Sequence, residues 1–345
     1  MSQRFRRIAS LAFAVAFAVL TASCGGDASS GEPASPFARG GPGAIVFSRP
    51  DGIYDFDIKS RETKPLIVAA EPNSFLLDPA VSPDGSKIAY VVQPPSKLVD
   101  GRYDAGSDLW IADRDGNGSR RLYEHEQPNA LVRYPQWSGD GHVVAIIQEI
   151  TGSLFSEVAY TIQRIDIATG VREKLIDDAL AFALSPDGAR ISYVRFDAEK
   201  KEVFESVAIG GGAPEVLVAA SEHLQPYNSP RYSPDGETIA FAAALQPGAA
   251  AGARYVAAWT GHAVAAAAFT AVNGLPQDIW LVDSAGGKPR LLSELQEDLP
   301  ALTWSGDGKH IYVLGGGGLF DVNLGNGAAR RLGDGSFHGQ LDWTP

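Results

Sequence analysis

Cysteine is almost absent from this chain of 345 residues, which carries a single one. A lone cysteine excludes an intramolecular disulfide, so the fold must depend on packing alone. Basic residues are also in deficit, because 29 lysines and arginines are outnumbered by 41 aspartates and glutamates, for a formal net charge of -12. This charge argues against a nucleic-acid partner, whose phosphates need a basic surface, and against adsorption of the domain to anionic lipid.

The N-terminus lacks an apolar run long enough to cross a bilayer, which takes about 20 residues. Residues 8–20 are apolar except for Ser10, and three arginines precede them within residues 4–7. A short apolar run behind a basic segment predicts a secretory signal peptide over residues 1–23. We therefore expect an exported protein.

The single cysteine, Cys24, ends the sequence LTASC directly after the apolar run. This segment resembles the lipobox of bacterial lipoproteins, with Thr21 where that family usually has Leu. The resemblance implies that Cys24 carries lipid and becomes the mature N-terminus, so that the membrane is contacted through lipid only. The alternative is an ordinary signal peptide with an incidental cysteine. Residues 24–43 are rich in Gly, Ser, Pro and Ala, which predicts a flexible tether.

Motifs of catalysis and cofactor binding are missing too. The sequence contains no Gly-x-Ser-x-Gly nucleophile elbow, and no phosphate loop or dinucleotide fingerprint between a strand and a helix. The glycine run at 315–318 falls between two predicted strands, which indicates a loop. We expect no cofactor.

One motif is abundant, the turn Ser-(Pro/Gly)-Asp-Gly, which occurs five times. Each copy follows a bulky residue and precedes a strand pattern. It therefore predicts a tight reversal, in which glycine takes positive φ and aspartate bonds the turn backbone. The shorter spacings between copies, 47 and 48 residues, suit one four-stranded propeller blade.

The repeated aspartates resemble a carboxylate set, but their spacing places them at separate turns around a ring. Paired acid and base groups need near contact, so we assign these residues a structural role. The set comprises Asp84, Asp140, Asp187, Asp235 and Asp307.

The two ends of the domain supply a sixth repeat. Residues 44–47 match a second strand without a first, and residues 340–345 match a first strand without a second. Pairing the two would close the ring and leave no open sheet edge between the ends. The sequence thus predicts an all-β fold over residues 44–345: a six-bladed β-propeller of four-stranded antiparallel blades, the first closed by the C-terminal strand.

The repeats resemble those of the TolB-type propeller, with Gly139 and Gly306 in place of the usual proline. The resemblance covers nearly all of residues 44–345. It implies a six-bladed interaction platform in the bacterial envelope, without implying membership of the Tol system. We therefore expect a non-catalytic propeller, lipid-anchored on the periplasmic or extracellular side, that binds an envelope protein, peptide or glycan.

Strand order divides the connections between two faces. The turns after the first and third strands are short and form what we call the turn face. The connections after the second and fourth strands vary in length and form the variable-loop face, where binding is expected because long loops on a rigid scaffold commonly carry binding sites. The candidate binding residues there are Arg102, Tyr103, His125, His223, Tyr227, Tyr255, Trp259 and His262.

The longest connection on that face is an Ala-rich insertion over residues 246–277. Its composition favours a short helix. Either this helix is a lid that packs on the propeller rim, or it contacts a partner or ligand directly.

Three histidines raise an alternative function. His125, His223 and His338 follow fourth strands, an arrangement similar to propeller lyases and lactonases, which would imply a metal-dependent enzyme acting on a carbohydrate or small ester. Their distances to the next strand are unequal and no acidic residue recurs beside them, so we expect surface histidines and no metal site. A binding propeller further predicts a central channel without a cluster of perturbed titratable groups, whereas the enzyme predicts convergent histidine and carboxylate groups there.

Overall fold

The computed structural model describes residues 43–99, 101–151, 157–221, 223–245, 276–333 and 338–344. In these ranges the chain forms strands and turns, and no helix in them is long and apolar enough to cross a membrane. The signal peptide, nearly all of the tether and nearly all of the insertion lie outside the described residues. So do Cys24, Tyr255, Trp259 and His262.

The described strands form six four-stranded antiparallel sheets, the blades, and one separate hairpin. Blade 1 contains β26 (His338–Thr344), β1 (Ala44–Arg49), β2 (Gly52–Asp57) and β3 (Thr63–Val68). Blade 2 contains β4 (Phe75–Val81), β5 (Lys87–Gln93), β8 (Asp108–Asp113) and β9 (Arg120–Tyr123). Blade 3 contains β10 (Leu131–Ser138), β11 (His142–Thr151), β12 (Glu157–Asp166) and β13 (Arg172–Asp177).

The remaining strands complete the set and confirm the predicted all-β class. Blade 4 contains β14 (Ala181–Leu184), β15 (Arg190–Phe196), β16 (Glu202–Ala208) and β17 (Glu215–Val218). Blade 5 contains β18 (Leu224–Tyr232), β19 (Thr238–Leu245), β20 (Gln277–Asp283) and β21 (Arg290–Glu297). Blade 6 contains β22 (Ala301–Trp304), β23 (His310–Gly315), β24 (Gly318–Asn323) and β25 (Ala329–Gly333). The hairpin pairs β6 (Lys97–Val99) with β7 (Arg102–Asp104).

The first strand of each blade contacts the first strands of both neighbouring blades, so that six strands surround a central axis. The ring is closed within blade 1, where β26 pairs with β1 in the register Ala44 to Thr344 and Ile45 to Trp343. This confirms closure of the first blade by the C-terminal strand. Ala44 and Thr344 both lie at the turn-face end of the blade, because first strands end and second strands begin there.

The core consists of six clusters of buried apolar side chains, one between each pair of neighbouring blades. A blade is therefore buried on both faces, and its second strand is apolar without alternation, as in Ile45–Phe47 and residues 240–243. Burial of this apolar surface stabilises the ring by roughly 25 cal/mol for each Å² removed from water.

Both tryptophans that precede a turn motif, Trp137 and Trp304, connect neighbouring blades. The indole Nε1 of Trp137 donates to the backbone oxygen of Ala80 at 2.9 Å, and that of Trp304 donates to the oxygen of Arg231 at 3.0 Å. In both cases the acceptor lies on the first strand of the preceding blade. These side chains thus fill the space between two inner strands and satisfy their polar atom there.

The aspartate of each turn motif bonds within its own turn. Asp84 accepts a hydrogen bond from Ser82 Oγ at 2.6 Å and from the backbone N–H of Ser86 at 3.0 Å, while Gly85 has φ of 74°. The serine-to-aspartate bond recurs in all five turns. The five carboxylates are thus engaged locally, each at a different blade.

The glycine run at 315–318 forms a two-residue hairpin turn, because Gly315 pairs with Gly318 across β23 and β24. The carboxylate of Glu297, the last residue of β21 in the neighbouring blade, accepts a hydrogen bond from the N–H of Gly317 at 2.8 Å. A Cβ atom at Gly317 would overlap this carboxylate. Gly315 and Gly317 must therefore lack side chains because this carboxylate packs directly on the backbone.

Candidate binding surfaces

The turn-face ends of the inner strands surround a cavity of about 240 Å³, to which all six blades contribute. The turn face is thus more than a plain surface of short turns, because those turns form the rim of an opening. Nine of the 21 wall residues are proline or aromatic, among them Pro83, Trp137, Pro186, Pro234, Trp304 and Trp343, and eight are polar or charged.

Charged side chains lie in the channel wall, and two of them, Arg231 and Asp342, also line this cavity. Burial raises the pKa of Asp342 although three hydrogen bonds and Arg231 oppose it, and burial lowers the pKa of Arg231. Arg133 lies 3.8 Å from the buried carboxylate of Asp78. The expectation that the channel lacks a cluster of perturbed titratable groups is therefore wrong.

Asp78 uses its two carboxylate oxygens as a cross-link between inner strands. From β4 it accepts the backbone N–H of Gln340 in β26 at 2.9 Å and that of Tyr134 in β10 at 3.2 Å. Gly339 must lack a side chain at this point, since a Cβ there would lie 2.5 Å from Asp78 Oδ1.

Asp342 forms an equivalent cross-link from β26. It accepts the backbone N–H of Val81 in β4 at 2.8 Å and the hydroxyl of Thr303 in β22 at 3.2 Å. The two aspartates together connect four neighbouring inner strands around the point of ring closure. Their oxygens are therefore occupied by the protein itself.

A second cavity, of about 70 Å³, lies on the other side of Arg231, whose side chain lines both cavities. Arg231 donates to Gln340 Oε1 at 2.9 Å, and Gln340 Nε2 contacts Ser229 Oγ at 3.3 Å. These polar side chains thus lie in the channel between the two cavities.

The connection between β5 and β8 contains the β6–β7 hairpin, which was not predicted from the sequence. Leu98 of β6 lies directly opposite Tyr103 of β7, and the two side chains are 64% and 72% exposed. Arg102 lies in β7 opposite Val99. The hairpin therefore presents an exposed apolar pair on the variable-loop face.

His125 holds the base of this hairpin and is not a surface histidine, contrary to expectation. Its side chain is 9% exposed. Nδ1 lies 2.6 Å from Asp108 Oδ1, and Nε2 lies 3.1 Å from Asp104 Oδ2. The unequal spacing of the histidines predicts surface positions because it does not reveal that Asp104 and Asp108 fold against His125.

Electrostatics at this site favour the charged ring. The hydrogen bond that His125 donates to Asp108 raises the pKa of His125 most, burial opposes it, and Asp104 raises it further. Burial acts to raise the pKa of Asp104 and Asp108, but the bonds from His125 and from backbone N–H groups outweigh it and lower both pKa values. The three groups thus form a buried, mutually stabilised ion cluster.

His223 is exposed, as expected, and its backbone N–H bonds Ser221 Oγ at 3.1 Å. His338 is the first residue of β26 in blade 1, whereas His125 follows β9 of blade 2. Among the described residues, no group of three or more His, Cys, Asp or Glu side chains is arranged to hold a metal ion.

Tyr227 does not contribute a side chain to the variable-loop surface. It is 2% exposed and packs against Phe204 and Phe241, with a ring-centroid separation of 5.6 Å to Phe241. Its backbone N–H donates to Glu202 at 2.7 Å. Burial raises the pKa of Glu202 to about 7, which makes it a buried titratable group next to the core.

Comparison with known proteins shows the fold. No protein-family model matches the chain, and no curated protein sequence matches it. TolB from Acinetobacter baumannii has a similar solved structure, with a TM-score of 0.60 and 16% identity over 87% of this chain and 66% of that chain. The putative TolB from Agrobacterium tumefaciens has a TM-score of 0.55 and 15% identity, over 86% of this chain and 90% of its own.

These similarities confirm the resemblance to the TolB-type six-bladed propeller at the level of the fold. This chain spans just under two thirds of the length of the Acinetobacter baumannii protein. At such identities the shared architecture carries no assignment of activity or partner.

Proposed function

We propose that this chain is a non-catalytic binding propeller, exported and held at the bacterial cell envelope through lipid on Cys24. Its partner is an envelope protein that contacts the variable-loop face, where the β6–β7 hairpin presents Leu98 and Tyr103. The exposed pair on this hairpin is the observation that carries the proposal.

An exposed leucine and tyrosine that lie directly opposite each other on paired strands favour a protein partner. Aromatic side chains with an apolar body and a polar tip are common anchors of interfaces, where a few residues supply most of the binding free energy. The hairpin is also fastened at its base, since Asn129 Nδ2 donates to the backbone oxygen of Tyr103 at 2.9 Å. A fastened hairpin loses little conformational freedom on binding.

The enzyme alternative is not favoured. A lyase or lactonase of the kind considered above would use histidine and carboxylate groups that converge on an open site. Asp78 and Asp342 instead bond the backbone of neighbouring inner strands, and His125 bonds two aspartates outside the channel. These contacts support roles in structure for the charged groups that are described.

Envelope anchoring rests on residues 1–43 and has its own test. Cys24→Ala should move the protein from the membrane fraction to the soluble fraction, and mass spectrometry of the wild-type N-terminal peptide should show acyl chains on Cys24. Membrane partition of Cys24→Ala equal to that of wild type would contradict the anchor.

The partner surface is tested by photocrosslinking in the native envelope. A benzoylphenylalanine at position 103 should give a discrete adduct, and Leu98→Ser in the same chain should reduce it. The matched control places the photoprobe at Val68, which is 66% exposed on the outer strand of blade 1. Equal labelling at positions 68 and 103 would contradict the proposed surface.

A further inference from the structure

We propose that His125 is a proton-operated latch, which tightens the β6–β7 hairpin against blade 2 and loosens it when the imidazole loses its proton. The latch itself is argued from the described residues. Its effect on a partner rests on the function proposed above.

The latch requires a doubly protonated ring. Both ring nitrogens of His125 contact carboxylate oxygens, at 2.6 Å for Asp108 and 3.1 Å for Asp104. An ionised carboxylate only accepts hydrogen bonds, so both contacts form only when each nitrogen carries a proton. In the neutral ring, one nitrogen would direct a lone pair at a carboxylate.

The two carboxylates belong to different parts of the chain, which makes the contact a bridge. Asp104 is the last residue of β7, whereas Asp108 is the first residue of β8 inside the blade. His125 itself follows β9. A Cβ at Gly106 would overlap the ring, so the imidazole lies directly on the backbone between the two aspartates.

The two contacts of His125 differ in their electrostatic surroundings, and the contact with Asp104, on the hairpin, depends more on the imidazole charge than the contact with Asp108. Asp108 has a second cation, Arg121, whose Nη1 lies 3.3 Å from Oδ2 and whose other terminal nitrogen bonds Glu124 at 2.9 Å. Among the side chains that the structure describes, His125 is the one cation that Asp104 contacts. Asp104 also accepts the backbone N–H of Gly106 at 3.0 Å and that of Asn129 at 3.1 Å, and these bonds do not depend on the imidazole proton. Deprotonation therefore leaves Asp108 with Arg121, whereas Asp104 keeps its backbone donors but no charged partner among those side chains.

The direction of the pH response follows from these contacts. The pKa of His125 is raised, chiefly by Asp108, and the pKa values of both aspartates are lowered. The aspartates therefore stay ionised while the histidine titrates. The latch is closed below the raised pKa of His125 and opens as the pH rises through it.

Hydrogen exchange of the full mature protein tests the latch without any substitution. Peptides covering residues 97–107 are followed by mass spectrometry between pH 5.5 and 8.5, with rates corrected for intrinsic exchange. Loss of a charge-assisted hydrogen bond should speed exchange of this segment by about tenfold across the range. A corrected rate that is independent of pH would overturn the proposal.

Two variants assign the response to this histidine. His125→Gln should exchange quickly at every pH, and His223→Gln, which changes an exposed histidine on the equivalent connection of blade 4, should behave as wild type. Persistence of the pH response in His125→Gln would overturn the proposal. Asp104→Asn should lower the pKa of His125 in an NMR titration of its ring protons, and an unchanged pKa would count equally against it.

The latch and the proposed function can fail separately. A pH-dependent hairpin with no adduct from position 103 would support the latch and contradict the partner surface. An adduct from position 103 with a pH-independent hairpin would support the partner surface and overturn the latch.

Discussion

Asp342 accepts a hydrogen bond of 2.8 Å from the backbone N–H of Val81, a residue 261 positions away in the chain. In the sheet, β26 pairs with β1 of its own blade, but this bond connects it to the inner strand of the next blade. Ring closure therefore has two components, one within the split blade and one between blades.

Replacing Asp342 should weaken this closure. Asp342→Ala removes the acceptor of Val81 N–H and Thr303 Oγ, and it leaves Asp78 as the remaining carboxylate that stabilises Arg231. We expect the free energy of unfolding, measured by urea denaturation, to fall by about 3 kcal/mol. The control is Asp115→Ala, which changes an exposed turn aspartate, and an equal small loss in both variants would contradict the assigned role.

Glu202 should make stability depend on pH. Its pKa is raised to about 7 by burial, so the folded state binds a proton that the unfolded state has released in the same range. The stabilising contribution is therefore complete below the ordinary pKa of 4.5 and is lost as the pH rises to about 7, on the order of 3 kcal/mol.

Glu202→Gln should remove this dependence. We expect unfolding free energies at pH 5 and pH 8 to converge in the variant and to differ in wild type. Glu199→Gln, at an exposed neighbour, serves as control. The expectation fails if Glu202→Gln retains the wild-type difference.

The glycine hairpin of blade 6 offers a matched pair of substitutions. Gly317→Ala would force a Cβ into the carboxylate of Glu297, whereas a Cβ at Gly316 would lie 3.9 Å from it. Gly317→Ala should therefore destabilise by about 1–3 kcal/mol in thermal or urea unfolding, and Gly316→Ala should not.

A double substitution tests the cause. Glu297→Ala in the Gly317→Ala background should recover part of the loss, which a double-mutant cycle measures. Strict additivity of the two substitutions would show that the carboxylate is not the obstacle.

The turn aspartates should affect stability and leave binding unchanged. Asp187→Ala removes the acceptor for Ser185 Oγ and for the backbone N–H of Ala189. We expect the unfolding free energy to fall by about 1 kcal/mol, with the yield of the adduct from position 103 unchanged at a temperature well below unfolding. A selective loss of that adduct would give the turns a role in recognition.

The fold could be predicted from the sequence because the patterns that specify it are local. The motif at Ser82, Asp84 and Gly85 encodes a turn within four consecutive residues, and the unpaired strands at residues 44 and 340 encode the split blade by their positions in the repeat. Such features need no knowledge of distant contacts.

The turn of the β6–β7 hairpin could be predicted from the same kind of local signal. Asp100 and Gly101 form an Asp-Gly pair, which favours a tight turn between short strands. Strands of three residues carry too little alternation to be recognised by periodicity alone.

The contacts of the buried charged groups could not be predicted from the sequence, for a different reason. Asp78 meets Gln340 across 262 positions, and His125 lies 17 and 21 positions from its two aspartates. These contacts exist only once blades are stacked and loops folded, and no spacing rule encodes them. The same holds for the cavity at the turn face, which is formed by the ends of six separate strands.

The register of β1 against β26 also fixes where the described chain enters the propeller. Because Ala44 and Thr344 meet at the turn-face end, the chain enters on that face, opposite the β6–β7 hairpin. The entry point is thus separated from the proposed partner surface by the full length of the strands.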